Sequence, residues 1–303
     1  MKLRISKPIA IVQKGKRDNQ EDSIFPAQGV ATESDNCFIV CDGMGGHERG
    51  EVASATVADA LGKFVVQNFP GQGEFSTSDF SKALNVAYDA LDEIIDEGDT
   101  SSKKPGTTLT FIKLHNGGVM IAHIGDSRIY HISPSRNAIW RTRDHSIVED
   151  LYRMGEIEEH QMRTHPRRNI ITKVMQPRAE EGRTKATLEN VTDIVEGDYF
   201  MLCSDGIVER HDDNTFLKIF SDNSLSDEQK AQRIEEITAD NADNHCAYIF
   251  KVIEVEGAEA QPSRNKSAET EKQNHSLLYK WGIWIVMALA VLALVYLITK
   301  FVL

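Results

Sequence analysis

The chain has 303 residues, enough for one large domain or two small ones, and its hydrophobic content of 41% suits a packed core. Its formal net charge of −12 at pH 7 argues against binding to nucleic acid, whose phosphates require a basic surface. The four cysteines form no Cys-x-x-Cys pair, which argues against a zinc site and favours buried thiols in a reducing compartment.

Charged residues cluster near the N-terminus, in "GKRDNQEDS", at a predicted transition from loop to strand. Arg17 is a candidate phosphate clamp, because a guanidinium binds two phosphate oxygens with a rigid fork. Glu21 and Asp22 follow it and add acidic groups to the same stretch. A solvated run of charges is the alternative, and this stretch taken alone favours it.

The patterns that follow predict helices and then strands. "VASATVADALGKFVV" and "FSKALNVAYDALDEII" have apolar residues at helical spacing, and the stripe of the second continues to Ile94 and Ile95. The runs "TTLTFIKL", "VMIAHIGDSRIYHI", "DYFMLCSDGI" and "AYIFKVI" predict strands. The "HNGG" and "PSRN" turns indicate hairpins and antiparallel pairing. We therefore expect an α+β fold, a sandwich rather than a parallel doubly wound sheet.

Three of the strand-like runs end in an aspartate beside glycine: Asp42 in "CFIVCDG", Asp126 in "VMIAHIGDS" and Asp205 in "YFMLCSDG". One such aspartate is usually a turn residue, but three in one chain predict a shared site. Gathered carboxylates repel one another unless a cation neutralises them, and oxygen ligands select Mg²⁺ or Mn²⁺. Gly43 lets its backbone carbonyl approach such an ion, because no side chain is in the way.

Two further acidic candidates, Asp240 and Asp243, stand before the last apolar strand in "ADNADNHCAYIF". His123 lies within an apolar run, where a packed core histidine is the expected role. The glycines after Asp42 are not followed by Gly-Lys-Ser/Thr, which argues against a nucleotide-binding ATPase.

The C-terminal part contains an apolar segment, Trp281–Thr299, without a charged residue. As a helix it would be about 28 Å long, which matches a bilayer core. A buried core helix is the alternative, although soluble helices seldom run so long without a polar face. We predict a catalytic domain over 1–255, a flexible linker over 256–276 and a transmembrane tail anchor over 277–303. The N-terminal apolar run is too short for a signal peptide, so we expect the catalytic domain on the cytoplasmic face of a bacterial inner membrane.

An ordered set of motifs between about Arg17 and Val255 resembles a known family. The motifs are "RDNQEDS", "CDGMGGHERGEVAS", "GTTLT", "IGDSRIY", "TRDHSIVEDLYRMGEI", "HPRRNIIT", "GDYFMLCSDGI" and "DNHCAYIF". They are similar to the PPM family, the metal-dependent type 2C protein serine/threonine phosphatases, in its bacterial form. The resemblance implies an α-β-β-α sandwich of two mainly antiparallel sheets flanked by helices.

The same resemblance implies a centre of two Mn²⁺ or Mg²⁺ ions. Asp42 would bridge the ions and position a water, and the carbonyl of Gly43 would be a ligand. Asp205 and Asp243 match the remaining direct ligands. Asp243 matches better than Asp240, because it stands with an asparagine immediately before the final strand.

Further positions match residues around that centre. Glu21 and Asp22 match an acidic pair that lies at the metal or holds its waters, and Arg17 matches the phosphate-binding arginine. Asp126, together with the Asp205 position, matches the site of a third, weaker metal in bacterial members. The segment from His145 to Arg168 corresponds to the flap beside the site, which commonly influences substrate choice.

The implied activity is hydrolysis of phosphoserine and phosphothreonine in proteins by a metal-activated water, without a phosphoenzyme. The partners would be phosphorylated proteins, the targets of a serine/threonine kinase. Met44 stands where the eukaryotic form of the family has a histidine, as is common in bacterial forms, so the general acid is unassigned, and His47 either fills this role or braces the glycine loop. The alternatives are a non-catalytic docking module on the same fold and a small-molecule phosphatase of the haloacid dehalogenase type. The latter needs a second acid where Met44 stands.

Overall fold

The computed structural model describes residues 1–45, 49–95, 104–179 and 182–257. The chain divides into the units Met1–Ala258 and Glu259–Leu303, and all described residues belong to the first. The described strands are β1 (Lys2–Ile5), β2 (Ile9–Gln13), β3 (Asp22–Phe25), β4 (Cys37–Met44), β5 (Gly106–Thr107), β6 (Leu109–His115), β7 (Gly118–Ile124), β8 (Arg128–Ser133), β9 (Ala138–Arg141), β10 (Thr187–Val191), β11 (Tyr199–Cys203) and β12 (His245–Glu256). The described helices are α1 (Arg49–Asn68), α2 (Thr77–Asp92), α3 (Ile147–Met154), α4 (Glu159–Met162), α5 (Asp205–Val208), α6 (Asp213–Ser221) and α7 (Asp227–Thr238).

The strands form two antiparallel sheets of six strands each. In the first sheet the order is β1-β12-β11-β8-β9, and β2 also pairs with β12. In the second sheet the order is β10-β7-β6-β4-β3, and β5 also pairs with β4. The β6–β7 hairpin closes at the predicted turn, where His115 is opposite Gly118. The antiparallel pairing expected from the turn residues is thus confirmed.

Strand β4 shows how the sandwich is layered. Phe38 and Val40 belong to the core between the two sheets, whereas Cys37, Ile39 and Cys41 belong to the core between the second sheet and helices α1 and α2. Successive side chains of a strand point to opposite faces, so this strand is apolar on both faces because both are covered. A third core lies between the first sheet and helices α5, α6 and α7. The α-β-β-α arrangement is confirmed.

Both predicted long helices are present. Helix α2 begins with a capping box, in which the side chains of Ser76 and Asp79 each bond the other residue's backbone N–H. The helix ends at Asp92, so the prediction that it continues to Ile94 and Ile95 is wrong. Both residues still contribute to the apolar packing, Ile95 as a buried core residue. Apolar periodicity therefore predicted their burial but not the end of the helix.

The predicted run "VMIAHIGDSRIYHI" is divided between the two sheets. Strand β7 belongs to the second sheet and β8 to the first, and the chain crosses between them over residues 125–127. Gly125 has a φ of +103°, and a Cβ there would lie 2.6 Å from Cγ2 of Thr108. The crossing therefore requires glycine, and it places Asp126 between the ends of the two sheets.

Within the described ranges, no helix is long and apolar enough to cross a membrane. The predicted anchor over 277–303 and the predicted linker over 256–276, apart from its first two residues, lie outside the described residues.

Candidate metal centre

The predicted acidic residues come together where the two sheets meet. Asp42 is in β4, and Asp126 follows β7 where the chain leaves the second sheet. Asp205 begins α5 just after β11, and Asp243 stands just before β12. Because β11 and β12 are antiparallel neighbours, the end of one lies beside the start of the other. The sheet topology thus gathers four carboxylates that are far apart in sequence.

These side chains line a cavity of ≈ 540 Å³. Its wall contains most of the predicted site residues, namely Arg17, Glu21, Asp42, Gly43, Asp126, Asp205 and Asp243. Asp22 is not part of the wall: it is opposite Asp42 in the β3–β4 ladder, and its Oδ2 accepts a hydrogen bond of 2.7 Å from Ser204 Oγ. The structure therefore separates the early acidic pair into a cavity residue, Glu21, and a buried residue behind it.

Burial and mutual repulsion raise the pKa values of these acids. Burial raises the pKa of Asp42 well above its usual value, and the charges of Asp22 and Asp205 raise it further. The pKa of Asp205 is raised to about 6 by burial and then by Asp243. Burial, followed by the charge of Asp205, raises the pKa of Asp126 to about 8. A nearby cation would reverse these shifts by favouring the ionised forms.

The cavity wall fits hard cations. Oδ1 of Asp205 is buried and has no hydrogen-bond partner among the described residues, although buried polar atoms are normally paired. A Cβ at Gly43 would lie 2.2 Å from the carbonyl oxygen of Gly50 and 2.5 Å from that of Glu21, so only glycine fits beside Asp42. Carboxylate and carbonyl oxygens are the ligands that Mg²⁺ and Mn²⁺ prefer. The donor set and the unpaired oxygen both agree with a bound divalent ion.

The acids are spread around the cavity. In the described part of the chain, no group of three or more His, Cys, Asp or Glu side chains is arranged to hold a metal ion by itself. Waters would therefore have to complete the coordination, as Mg²⁺ commonly requires.

Arg17 lies on the same cavity wall, within a loop that joins β2 to β3. Its Nη2 is 2.6 Å from Oδ2 of Asp243, and its side chain is 57% exposed. The hydrogen bond to Asp243 is the largest of several influences and raises the pKa of Arg17. The structure thus places a permanently charged guanidinium beside the carboxylates, where it can contact an anion in the cavity.

Known proteins share this fold and this sequence pattern. A model of the protein phosphatase 2C family matches residues 15–245. The protein phosphatase PhpP of Streptococcus pneumoniae is 30% identical over 193 residues, which cover 63% of this chain and 74% of PhpP. The chain belongs to the protein phosphatase 2C family.

Relatives in this family include PstP of Mycobacterium tuberculosis, a serine/threonine protein phosphatase that is 29% identical over 249 residues. The match covers 81% of this chain but 45% of PstP, so the chain spans less than half of that relative. The crystal structure of the mycobacterial PstP has a TM-score of 0.69 and 27% identity, with 82% of this chain and 100% of that chain covered. A PstP catalytic domain crystallised with two manganese ions has a TM-score of 0.66 and 25% identity, with 82% and 99% covered. This protein phosphatase 2C family member is a protein serine/threonine phosphatase of the bacterial type.

The predicted flap is bonded to the loop that carries Asp126 at its first residue, His145. His145 Nδ1 accepts a hydrogen bond of 3.1 Å from the N–H of Gly125, and the N–H of His145 donates to Gly125 O at 2.9 Å. The ring of His145 stacks on that of His123 with centroids 4.4 Å apart, and burial lowers the pKa of His145 to about 4. His123 is buried and bonds the carbonyl of Arg143, so its prediction as a core histidine is confirmed. A neutral His145 thus joins the flap to the loop that carries Asp126.

The other end of the predicted flap lies beside a second cavity of the phosphatase, of ≈ 130 Å³. Arg168, Asp126 and Asp205 all line this cavity, while Asn169 and Ile171 line the main one. The end of the predicted flap is therefore part of the wall of the second cavity, and Asn169 and Ile171, which line the main one, lie just beyond the flap. His47, the alternative general acid, lies outside the described residues.

The sequence interpretation missed several residues that hold the site in place. Thr108 brackets Asp42, because its Oγ1 accepts from Asp42 N–H and its own N–H donates to Asp42 O, both at 2.9 Å. Asn244, which the motif included without a role, bonds the loop that carries Arg17. The "GTTLT" and "DNHC" motifs contain these residues, but their contacts are with segments distant in sequence. No local pattern could have revealed the contacts.

Proposed function

We propose that this phosphatase hydrolyses phosphoserine and phosphothreonine in proteins with two Mn²⁺ or Mg²⁺ ions held by Asp42, Asp205, Asp243 and the carbonyl of Gly43. The unpaired, buried Oδ1 of Asp205, in a cavity shared with Arg17, carries the proposal. When bound, the ions would supply Lewis acidity toward phosphoryl oxygens and acidify a water for attack on phosphorus. A third ion would use Asp126 together with Asp205, since both line the main and the second cavity.

The side chains of the chain have separate tasks in this proposal. Arg17 binds and orients the phosphoryl group, because its guanidinium lies on the cavity wall and matches two phosphate oxygens. Glu21 faces the cavity and holds waters of the centre, whereas Asp22 lies opposite Asp42 in the β3–β4 ladder and accepts a hydrogen bond from Ser204. Met44 lines the cavity but has no proton to donate, so this side chain is not the general acid.

The flap supplies the surface that meets the protein substrate. Arg168, at the end of the predicted flap, is exposed beside the second cavity, and Asn169 and Ile171, just beyond the flap, border the main one. We propose that residues flanking the phosphorylated side chain contact this surface, and that the substrates are proteins phosphorylated by a serine/threonine kinase.

The test is phosphate release from a phosphothreonine peptide by the full chain. We expect release with Mn²⁺, none with EDTA, and loss of most activity in Asp205→Asn, because this change removes a charged ligand but keeps the shape. Asp59→Asn on the exposed face of α1 is the matched control and should keep full activity. A folded wild-type chain that releases no phosphate with Mn²⁺ would indicate a docking module. Trapping of phosphate on Asp42 would indicate the dehalogenase-type mechanism.

We further propose that the segment 277–303 anchors the phosphatase to the cytoplasmic face of a membrane, with 256–276 as a flexible linker. The uncharged run Trp281–Thr299 supports the anchor, and the free, buried state of all four cysteines agrees with a reducing compartment. The full chain should sediment with membranes and resist extraction at high salt, and a chain ending at residue 276 should stay in the supernatant. Equal sedimentation of both chains would contradict the anchor. Protease added to intact spheroplasts should leave the catalytic domain uncut.

An anchor would favour membrane-bound substrates, because it raises the effective concentration of enzyme near them. The comparison is between a phosphopeptide attached to lipid vesicles and the same peptide in solution. The full chain should prefer the attached peptide, while the chain ending at residue 276 should treat both alike. Equal preferences of the two chains would argue against this function of the anchor.

A further inference from the structure

The loop from residue 14 to residue 21, which carries Arg17, lies against the segment just before β12. Gly15 approaches this segment so closely, with a φ of +62°, that a Cβ there would lie 2.1 Å from Asp243 O. The N–H of Lys16 donates to the carbonyl of Ala242 at 3.2 Å. The two segments are more than 200 residues apart in sequence, as the separation of 226 between Arg17 and Asp243 shows. Their contact therefore depends on specific tertiary hydrogen bonds.

Asn244 makes most of these bonds with one side chain. Its Nδ2 donates to the carbonyls of Lys14 and Asn19, each at 2.8 Å, and its Oδ1 accepts from the N–H of Glu21, also at 2.8 Å. An amide has two donor hydrogens and one carbonyl oxygen, so both donors and the acceptor are in use. The residue is 4% exposed. Asn244 thus bonds the loop at its start, near its middle and at its end.

The backbone of Asn244 also orients its neighbour. The N–H of Asn244 donates to Oδ1 of Asp243 at 2.8 Å, while Oδ2 of Asp243 is bonded by Arg17. The carboxylate of Asp243 is therefore held at one oxygen by the residue whose side chain closes the loop and at the other by the arginine within that loop. Asn244 therefore fixes the position of the Asp243 carboxylate relative to Arg17.

We propose that Asn244 is a positioning residue that sets Arg17 for the phosphoryl group of the substrate. Asn244 borders the main cavity, but its amide is buried and all its donors and its acceptor are used by the loop, so it acts through the loop and not by bonding the substrate. This inference rests on the proposed function, in which Arg17 binds phosphate. Aspartate has the same shape as asparagine, but it would direct an oxygen at the carbonyls of Lys14 and Asn19 and release the loop.

The test is a double-mutant cycle on the full chain with Mn²⁺, using a phosphothreonine peptide as substrate and inorganic phosphate as inhibitor. Asn244→Asp should raise both KM and the inhibition constant for phosphate on the order of tenfold, as changes behind a binding residue commonly do. In an Arg17→Ala background the same change should alter KM by less than about twofold, because Arg17 no longer contributes. Asn190→Asp, a remote amide-to-acid change in β10, should leave both constants unchanged.

The outcomes separate the inference from the function on which it rests. A wild-type chain without metal-dependent activity overturns the proposed function. An active wild type in which Asn244→Asp has no effect, or the same effect with and without Arg17, overturns the inference. If Asn244→Asp does not fold, Asn244→Ala replaces it, because alanine adds no oxygen opposite the carbonyls.

Amide hydrogen exchange on the wild type is an independent measurement. The N–H of Glu21 should be protected from exchange like the strands of the core, since it donates to a buried side chain. Fast exchange at Glu21 in the folded protein would contradict the role of Asn244 in closing the Arg17 loop.

Discussion

Two groups of largely buried acids line the two cavities, and they differ in how they are paired. Asp144 lines the second cavity, Asp42 lines the main one, and Asp205 lines both. Asp144 receives two hydrogen bonds from the guanidinium of Arg128, of 2.8 Å from Nε and 2.6 Å from Nη2. Within the described ranges, Asp205 and Asp42 form no ion pair of this kind, and Oδ1 of Asp205 has no hydrogen-bond partner there. The pair of Asp144 and Arg128 balances its charges within the chain, whereas the unpaired oxygen of Asp205 lies in an acid-lined cavity where a divalent cation would neutralise it.

The ion pair of Asp144 and Arg128 is part of a longer chain of hydrogen bonds. Nη1 of Arg128 lies 3.2 Å from the hydroxyl of Tyr130, which donates to Asp213 at the start of α6. The charge of Asp144 raises the pKa of Arg128 well above its usual value, against the lowering effect of burial. The ion pair of Arg128 and Asp144 thus joins β8 to the residue before the predicted flap, and Tyr130 joins β8 to α6. The charges of the pair balance each other without a bound ligand.

The largest expected effect comes from removing a carboxylate of the unpaired group. Asp42→Asn should lower kcat/KM by more than about a thousandfold, because metal ions supply several kcal/mol of transition-state stabilisation. The metal-free variant should be more stable than the metal-free wild type, since one of the repelling charges is gone. Phosphate release with Mn²⁺ and urea unfolding in EDTA measure the two effects. A variant that loses both activity and stability would place Asp42 with the structural acids.

The paired group should respond in the opposite way. Asp144→Asn leaves the buried guanidinium of Arg128 without a counter-charge, and we expect a loss of about 3 to 5 kcal/mol in the free energy of unfolding. Urea unfolding of the full chain in EDTA gives this value. Asp193→Asn, which alters an exposed ion pair with Arg136, is the control and should cost less than about 1 kcal/mol. Similar losses of free energy of unfolding in the two variants would show that the Asp144–Arg128 ion pair contributes no more to stability than an exposed ion pair.

An added divalent ion should stabilise the protein through the unpaired group. At Mn²⁺ concentrations a hundredfold above its dissociation constant, binding adds about 2.7 kcal/mol to the free energy of unfolding. Thermal unfolding of the catalytically inactive Asp205→Asn variant should show a much smaller shift than the wild type, and Asp144→Asn should keep the shift. An equal Mn²⁺ shift in wild type and Asp205→Asn would count against the assigned ligands.

The smallest expected effect is a pH dependence of the metal-free protein. Burial raises the pKa of Asp22 to about 7 and that of Asp126 to about 8. Between their unfolded and folded pKa values, these groups keep protons in the folded protein that the unfolded chain has released, so stability falls as pH rises. From pH 6.5 to 7.5 in EDTA we expect a loss on the order of 1 kcal/mol. Saturating Mn²⁺ should make stability rise with pH, because the metal ligands bind as ionised carboxylates. A free energy of unfolding that does not change with pH in EDTA would show that the pKa values of these acids are not raised.

Sequence reasoning reached the fold and most of the site because the relevant signals are local. The apolar faces of α1 and α2 and the turn of the β6–β7 hairpin are visible in short windows. Asp42, Asp126 and Asp205 are visible because each ends an apolar run. The prediction of where α2 ends failed for the same reason. Apolar spacing beyond Asp92 reflects burial and not backbone hydrogen bonding, so it could not indicate the end of the helix.

By itself, the sequence determined which residues are buried and which acids stand at strand ends, because side-chain period and turn chemistry are properties of neighbouring residues. Only the tertiary structure decided that Glu21 faces the cavity while Asp22 lies behind it, and that Asn244 closes the Arg17 loop. The bond between Glu21 and Asn244 joins residues 223 positions apart. Such a contact forms only after the two sheets have packed. A hydrogen bond requires its donor and acceptor atoms to lie within about 3 Å, and no local sequence pattern shows that two distant residues meet this condition.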